Sequence, residues 1–195
     1  MLIGYDACNA LRLDGPLGDY SRNLIASLAD SHVKDFRAIL FCTHINDNYS
    51  RHFSGYSNIS TYLPAGGAKM MPEVWLRYHL NTVLRQEKVQ LMHGLNEELP
   101  YHIGREVKTV VTCYGTGQHH NTSLPDSMLW RTRMKYAFSA ADVVVAVSEA
   151  VRESLLANGV SEGKVVVIGD QADPMRVTPA VAEQYRSLYS RLLGK

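Results

Sequence analysis

Leu2-Ile-Gly-Tyr-Asp6, then Asp14-Gly-Pro-Leu-Gly18, then the apolar series Leu17, Tyr20, Leu24, Ile25 and Leu28 decide the fold. The first five residues read as a short buried strand starting at the chain's first residues. The series at i, i+3, i+7, i+8 and i+11 is one apolar stripe of a helix. Strand, glycine turn and helix open a doubly wound α/β domain, where ligands collect at the carboxyl ends of the strands. Gly15 and Gly18 let backbone approach a ligand, and the helix start offers free N–H groups to an anion. Their spacing is G-x-x-G rather than G-x-G-x-x-G, which argues against a nicotinamide cofactor. Asp19 places a negative charge in the first helical turn, where it opposes a phosphate. A tight turn before an ordinary helix is the plainer alternative.

The remaining chain continues the pattern. Strands are predicted over 36–42, 58–63, 89–93, 107–113, 142–147 and 164–168, with Val107–Cys113 β-branched as a central parallel strand should be. A helix over about 73–87 turns Leu76, Leu80, Val83 and Leu84 inward and Arg77, Asn81, Arg85 and Lys88 outward. Asp126 is placed to cap a helix carrying Leu129, Trp130, Met134 and Phe138. Ser148 caps another that ends at Asn158-Gly159. Residues 169–178 have linker character, and Thr178-Pro179 opens a last helix with the stripe Val181, Tyr185, Leu188, Tyr189 and Leu192. These elements imply an α/β domain over 1–168, a doubly wound, mostly parallel seven-stranded sheet with helices on both faces, then a linker and a terminal helix over 179–195.

Composition bounds the function. The 195 residues suffice for one sizeable core, and 46% hydrophobic with 20% charged residues is ordinary for a globular chain. A net charge of +1 gives no electrostatic case for nucleic acid. No apolar run approaches the roughly 18 residues of a membrane span, and no secretory signal is visible. Cys8, Cys42 and Cys113 form no C-x-x-C pair, which fits free thiols in a cytoplasmic protein better than a disulfide frame. On the same expectation the asparagine sequons at 48, 58 and 121 carry no meaning.

The parallel sheet gathers Gly15, Gly18, His93, Glu98, Tyr114, Gly115, His119, His120, Ser148 and Glu149 at one edge. A histidine ending a buried strand, as His93 does, is expected to be satisfied by backbone rather than catalytic. His119 and His120 are adjacent, without a third ligand at zinc spacing, so no metal is expected. Glu97-Glu98 reads first as a solvated loop pair, and second as a general acid or base. Ser148 lacks a G-x-S-x-G elbow and is a cap, although the amides beyond it can hold an anion. The helix near residue 80, with Arg77, Arg85, Lys88, Trp75 and Tyr78, is an ordinary amphipathic helix before it is a weak contact for an anionic membrane surface.

His93-Gly-Leu-Asn-Glu-Glu-Leu-Pro100 followed by Val107-Lys-Thr-Val-Val-Thr112 resembles the middle of a family 4 glycosyltransferase. Ala140-Ala-Asp-Val-Val-Val-Ala-Val-Ser-Glu149 is similar to the family's alanine-aspartate, apolar strand, serine-glutamate signature. Gly15-Pro-Leu-Gly-Asp-Tyr20 resembles its first glycine loop, and Asp6-Ala7 its strand-one ending. The resemblance runs in order across nearly the whole chain. It implies the amino-terminal, Rossmann-like half of a GT-B fold, in an enzyme moving a sugar from a nucleotide diphosphate with retention and without a metal. On that likeness Gly15 and Gly18 lie near the donor diphosphate. His93, the Glu98–Pro100 loop, Tyr114 and Gly115 lie on the acceptor side, with Ser148 and Glu149 at the cleft floor.

Two departures stand out. The family places a histidine-aspartate pair directly after the fifth strand, where this chain has Tyr114 and Gly115, leaving His119 or His120 to substitute. The donor-binding half does not follow, so this piece alone is expected to be inactive. The readings are then an acceptor-side domain for a carbohydrate or lipid-linked acceptor, with a nucleotide-diphosphate sugar as co-substrate and no cofactor. The alternatives are a non-catalytic half that pairs with a separate donor-binding chain, and an unrelated α/β small-molecule binder. The last helix must bury its stripe on this domain or, in a homodimer, on a second copy.

Overall fold

Seven short runs rich in aliphatic and β-branched residues pair into one sheet, as strands buried on both faces must. The computed structural model describes residues 1–30, 36–49, 51–115 and 124–195, the side chains of 124–130 excepted. The strands are β1 (Leu2–Asp6), β2 (Arg37–Phe41), β3 (Ile59–Tyr62), β4 (Leu91–Gly94), β5 (Lys108–Cys113), β6 (Val143–Ala146) and β7 (Val165–Val167). They lie in the order β3-β2-β1-β4-β5-β6-β7, and every pairing is parallel. The direction of winding reverses between β1 and β4, so the crevice beyond Asp6 and Gly94 is the topological switch point.

The helices are α1 (Cys8–Arg12), α2 (Pro16–Asp30), α3 (Pro72–Val74), α4 (Leu80–Gln86), α5 (Leu124–Ala140), α6 (Glu149–Ala157) and α7 (Pro179–Leu192). The stripe of α2 is buried at Tyr20, Leu24, Ile25 and Leu28. Gly18 belongs to this helix rather than to the turn before it, and Gly15, at φ +87°, makes the turn. The short α1 has no sequence signal: its cap is Ala7, whose side chain bonds nothing. A π turn, Trp75–His79, interrupts the helix expected over 73–87. Leu76, Leu80, Val83 and Leu84 are buried as expected, but so is Trp75, which stacks on Tyr62 at 6.0 Å and 8°. Helix α5 is already running at Leu124, two residues before the expected cap Asp126.

Both predicted caps of the carboxyl-terminal third form: Ser148 and Thr178 each accept from the amide three residues on, at 3.3 Å. Helix α7 packs back on this same domain against α2, burying Val181, Tyr185, Leu188 and Tyr189. No second copy is needed to cover its stripe.

The amino edge of the sheet joins the chain's two ends. Gln90 donates its amide to Leu2 O at 3.0 Å, and its Oε1 receives Leu2 N–H at 3.1 Å and the Lys195 ammonium at 3.4 Å. Among the described residues no helix is long and apolar enough to cross a membrane.

Candidate functional site

Parallel register alone assembles the carboxyl rim. Asp6 lies beside Phe41 and Gly94, Gly94 beside Val111, and Cys113 beside Ala146, so the segments following these strands crowd one edge. The first glycine turn and the Tyr114–Gly115 corner share it, for Tyr20 of α2 meets the Tyr114 ring edge-on at 5.2 Å and 82°. Gly115, at φ +132°, lies against the first turn of α6, where a Cβ on it would sit 3.8 Å from Val151. The start of α2, the Tyr114–Gly115 corner and the first turn of α6 are therefore neighbours along this edge. His119 and His120 lie outside the described residues.

Side chains lace the rim together. Asn9 Nδ2 donates to Leu95 O at 2.8 Å, and the Tyr114 hydroxyl donates to the same oxygen at 3.0 Å. Tyr114 N–H donates to Glu97 Oε1 at 2.8 Å. These bonds tie the loops after β1, β4 and β5 across the switch point. Tyr114 is thereby turned into the core.

Glu97-Glu98 is not the solvated pair expected. Glu97 is fully buried, with φ +62°, and the Glu98 side chain keeps only 15% of its surface. The loop folds inward because cations meet it: Glu98 lies 3.5 Å from Arg77 and 3.6 Å from Arg133. Arg77 also pairs with Glu73 at 3.2 Å, and Glu73 with Arg12 at 3.5 Å. Arg77 is thus part of the rim and not of an outward basic face. Burial pushes the Glu98 carboxyl above the ordinary range despite Arg133 and Arg77. Burial, with the neighbouring Cys8 and Glu98, lifts Asp6 well above it. Carboxyls displaced from their ordinary range beside a crevice are the groups to test for acid–base work.

His93 is fully enclosed and satisfied, by side chains rather than by backbone. Its Nδ1 lies 2.6 Å from the Tyr189 hydroxyl and its Nε2 2.8 Å from Thr112 Oγ1. Thr112 continues to Tyr185 at 3.0 Å, and Tyr185 to Tyr20 at 3.0 Å. Burial holds the imidazole neutral, its pKa down at about 3.

Gly18 and Asp19 have local partners. A Cβ on Gly18 would meet Leu13 O at 2.1 Å, so this glycine admits the preceding backbone. Asp19 bonds the Arg22 guanidinium at 2.7 Å, which neutralises the charge expected to oppose an anion. The buried Arg22 also donates to Ala10 O and Leu13 O, each at 2.9 Å, and lies 3.9 Å over the Tyr49 ring. Asn9 and Arg22 carry no periodic or motif signal, and sequence reasoning passed over their roles. Among the described residues no three His, Cys, Asp or Glu side chains are grouped to hold a metal.

A family model described as Glycosyltransferase Family 4 matches residues 19–174. The chain belongs to glycosyltransferase family 4. A search of curated sequences finds no match. Among solved structures, this family 4 chain is similar to Anabaena HepE in complex with UDP and glucose, at 13% identity and TM-score 0.54 over 87% of this chain and 44% of that one. It is similar to MnaA of S. aureus with UDP, at 15% identity and TM-score 0.54, over 88% of this chain and 44% of that one. A sucrose-phosphate synthase structure from Thermosynechococcus elongatus aligns over 98% of this chain and 99% of its own, at 17% identity and TM-score 0.56. These likenesses establish the fold, the Rossmann-like half of a GT-B architecture. The chain spans under half the length of the first two.

Proposed function

We propose that this chain is the acceptor-side half of a glycosyltransferase that moves a sugar, with retention and without a metal, from a nucleotide-diphosphate donor. The observation that carries the reading is the rim at the β1–β4 switch point, where the glycine turn, the Glu98 loop, the Tyr114–Gly115 corner and the α6 start meet. In this reading residues 1–168 form the body, 169–178 a connector and 179–195 a closing helix. Gly15 and Gly18 lie near the donor diphosphate, the Glu98 loop and the backbone corner at Tyr114 and Gly115 edge the acceptor, and Ser148 and Glu149 form the cleft floor. His93 supports the acceptor side from beneath, through Thr112 and Tyr189. A donor-binding half, on the same or a separate chain, grips the nucleotide. Because HepE and MnaA were solved with UDP, a UDP-sugar is the first donor class to try.

One observation favours the non-catalytic variant, in which this half only holds an acceptor for a partner chain. At the end of β5, where the family resemblance expects a histidine, Tyr114 is buried with its hydroxyl on Leu95 O. The experiment joins this chain to a donor-binding half and follows release of the nucleotide diphosphate, with the product's anomeric configuration read by NMR. Transfer with retention, reduced at least 10-fold by Glu98→Gln, is the expected result. Tight binding of a nucleotide sugar by the isolated chain in calorimetry contradicts the division of labour.

A further inference from the structure

We infer that the apolar groove between the single-turn 3-10 segment Gly66–Met70 and the helical run from Val74 to Val83 binds the alkyl or isoprenyl chain of an amphiphilic acceptor. The cavity measures about 670 Å³, within the usual range of small-molecule sites. Its floor is Trp75 and Val83, both buried, and its open wall is Ala68, Met71 and Val74. Of its lining side chains only His79 can carry a charge, so the groove suits an uncharged apolar occupant.

Three further observations select a flexible chain. Met70 and Met71, 87% and 57% exposed, are unbranched thioether side chains that repack around irregular apolar shapes. Gly66 and Gly67 have open space where a Cβ would stand, which keeps the rim of the groove thin. The floor is made by the π turn Trp75–His79, an irregularity that recurs at binding sites and that brings Trp75 and His79 to the same cavity.

The groove is also placed for this use. Val74 follows Glu73, which is paired to Arg12 beyond β1 and to Arg77 beside Glu98. A molecule with its polar head at the carboxyl rim can therefore lay its tail along α4. A flat lipid surface suits the region less well: Lys69 and Lys88 alternate with Glu73 and Glu87, and Arg85 lies 3.9 Å from Glu106, so no basic collar forms. The inference rests on the acceptor-side reading for its purpose, but its test uses no donor.

The test titrates hexyl, octyl, decyl and dodecyl β-glucosides, below their micelle concentrations, into the full chain carrying Trp130→Phe, which leaves Trp75 as the sole tryptophan. A saturable change in Trp75 fluorescence is expected, with Kd tightening about fourfold for every two methylenes, half the full transfer value for an open groove. Met71→Asp and Thr82→Phe, at exposed positions, should each weaken dodecyl glucoside at least 10-fold while the melting temperature stays unchanged. The inference is overturned by a Kd independent of chain length, or by unchanged binding in both folded variants. A response only to micelles or to phosphatidylglycerol vesicles also overturns it and makes this face a membrane contact. Absence of transfer in the joined enzyme, with chain-length-dependent binding intact, refutes the transferase reading alone.

Discussion

The imidazole of His93 bonds the hydroxyl of Tyr189 at 2.6 Å, joining β4 to the last helix across 96 residues of sequence. Tyr5 donates to Tyr189 at 3.4 Å, which leaves the Tyr189 proton for Nδ1. A neutral imidazole that accepts at one nitrogen donates at the other, here to Thr112. Tyr189→Phe strands a buried acceptor and should cost about 1–3 kcal/mol in urea unfolding. Combined with Thr112→Val, which empties the other side of the same ring, the losses should not add. Strict additivity would mean that the ring does not couple the two elements.

The same ring makes stability depend on pH. Its folded pKa is about 3 against an ordinary 6.5. Between those values the unfolded chain binds a proton that the folded one refuses, so the His93 share of stability is complete above 6.5 and is lost as pH falls toward 3. The slope approaches ~1.4 kcal/mol per pH unit. Asp6 and Glu98, both raised, act with the opposite sign: their shares are present below the unfolded carboxylate range and fade as pH rises. Comparing the wild type with His93→Gln cancels those shares. The advantage of the wild type should shrink steadily below about pH 6, and a constant difference would refute the assignment.

Gly18 admits the Leu13 carbonyl, and backbone cannot step aside as a side-chain tip can. Gly18→Ala should destabilise by about 1–3 kcal/mol or more, as overpacking does. Gly67→Ala, with nothing near the new methyl, should stay within about 0.5 kcal/mol. Equal melting temperatures for the two variants would show that the turn has another conformation in solution.

Arg22 holds two carbonyls and Asp19 with one planar fork. Lysine offers a point charge on a flexible stem, so Arg22→Lys should lose roughly 2–3 kcal/mol and should expose amides of 10–14 to hydrogen exchange. Protection retained in the lysine variant would show that charge alone secures this loop.

All seven strands and the long helices were legible because each expresses a local rule. The β-branched run of β5, the period of Tyr20, Leu24 and Leu28, and the caps Ser148 and Thr178 are read from neighbours a few residues apart. What escaped depends on distant partners. Glu98 is drawn inward by Arg77 and Arg133, 21 and 35 positions away, and no window of sequence contains all three. Arg22 resembles any solvent-facing helical arginine until the loop below it is in place. The rim could be anticipated because parallel strands must share it, whereas the hydrogen bonds that lace it follow from which loops become neighbours. Helix α1 and the π turn lack distinctive residues and appear only once tertiary packing imposes them.

The meeting of Leu2 and Lys195 at Gln90 gives the domain the connectivity of a nearly closed ring. Chain continuing from either residue leaves on the amino edge of the sheet, opposite the carboxyl rim. A few flexible residues joining the two ends would give a circular permutant whose new termini, opened within 169–178, emerge from the chain between β7 and α7.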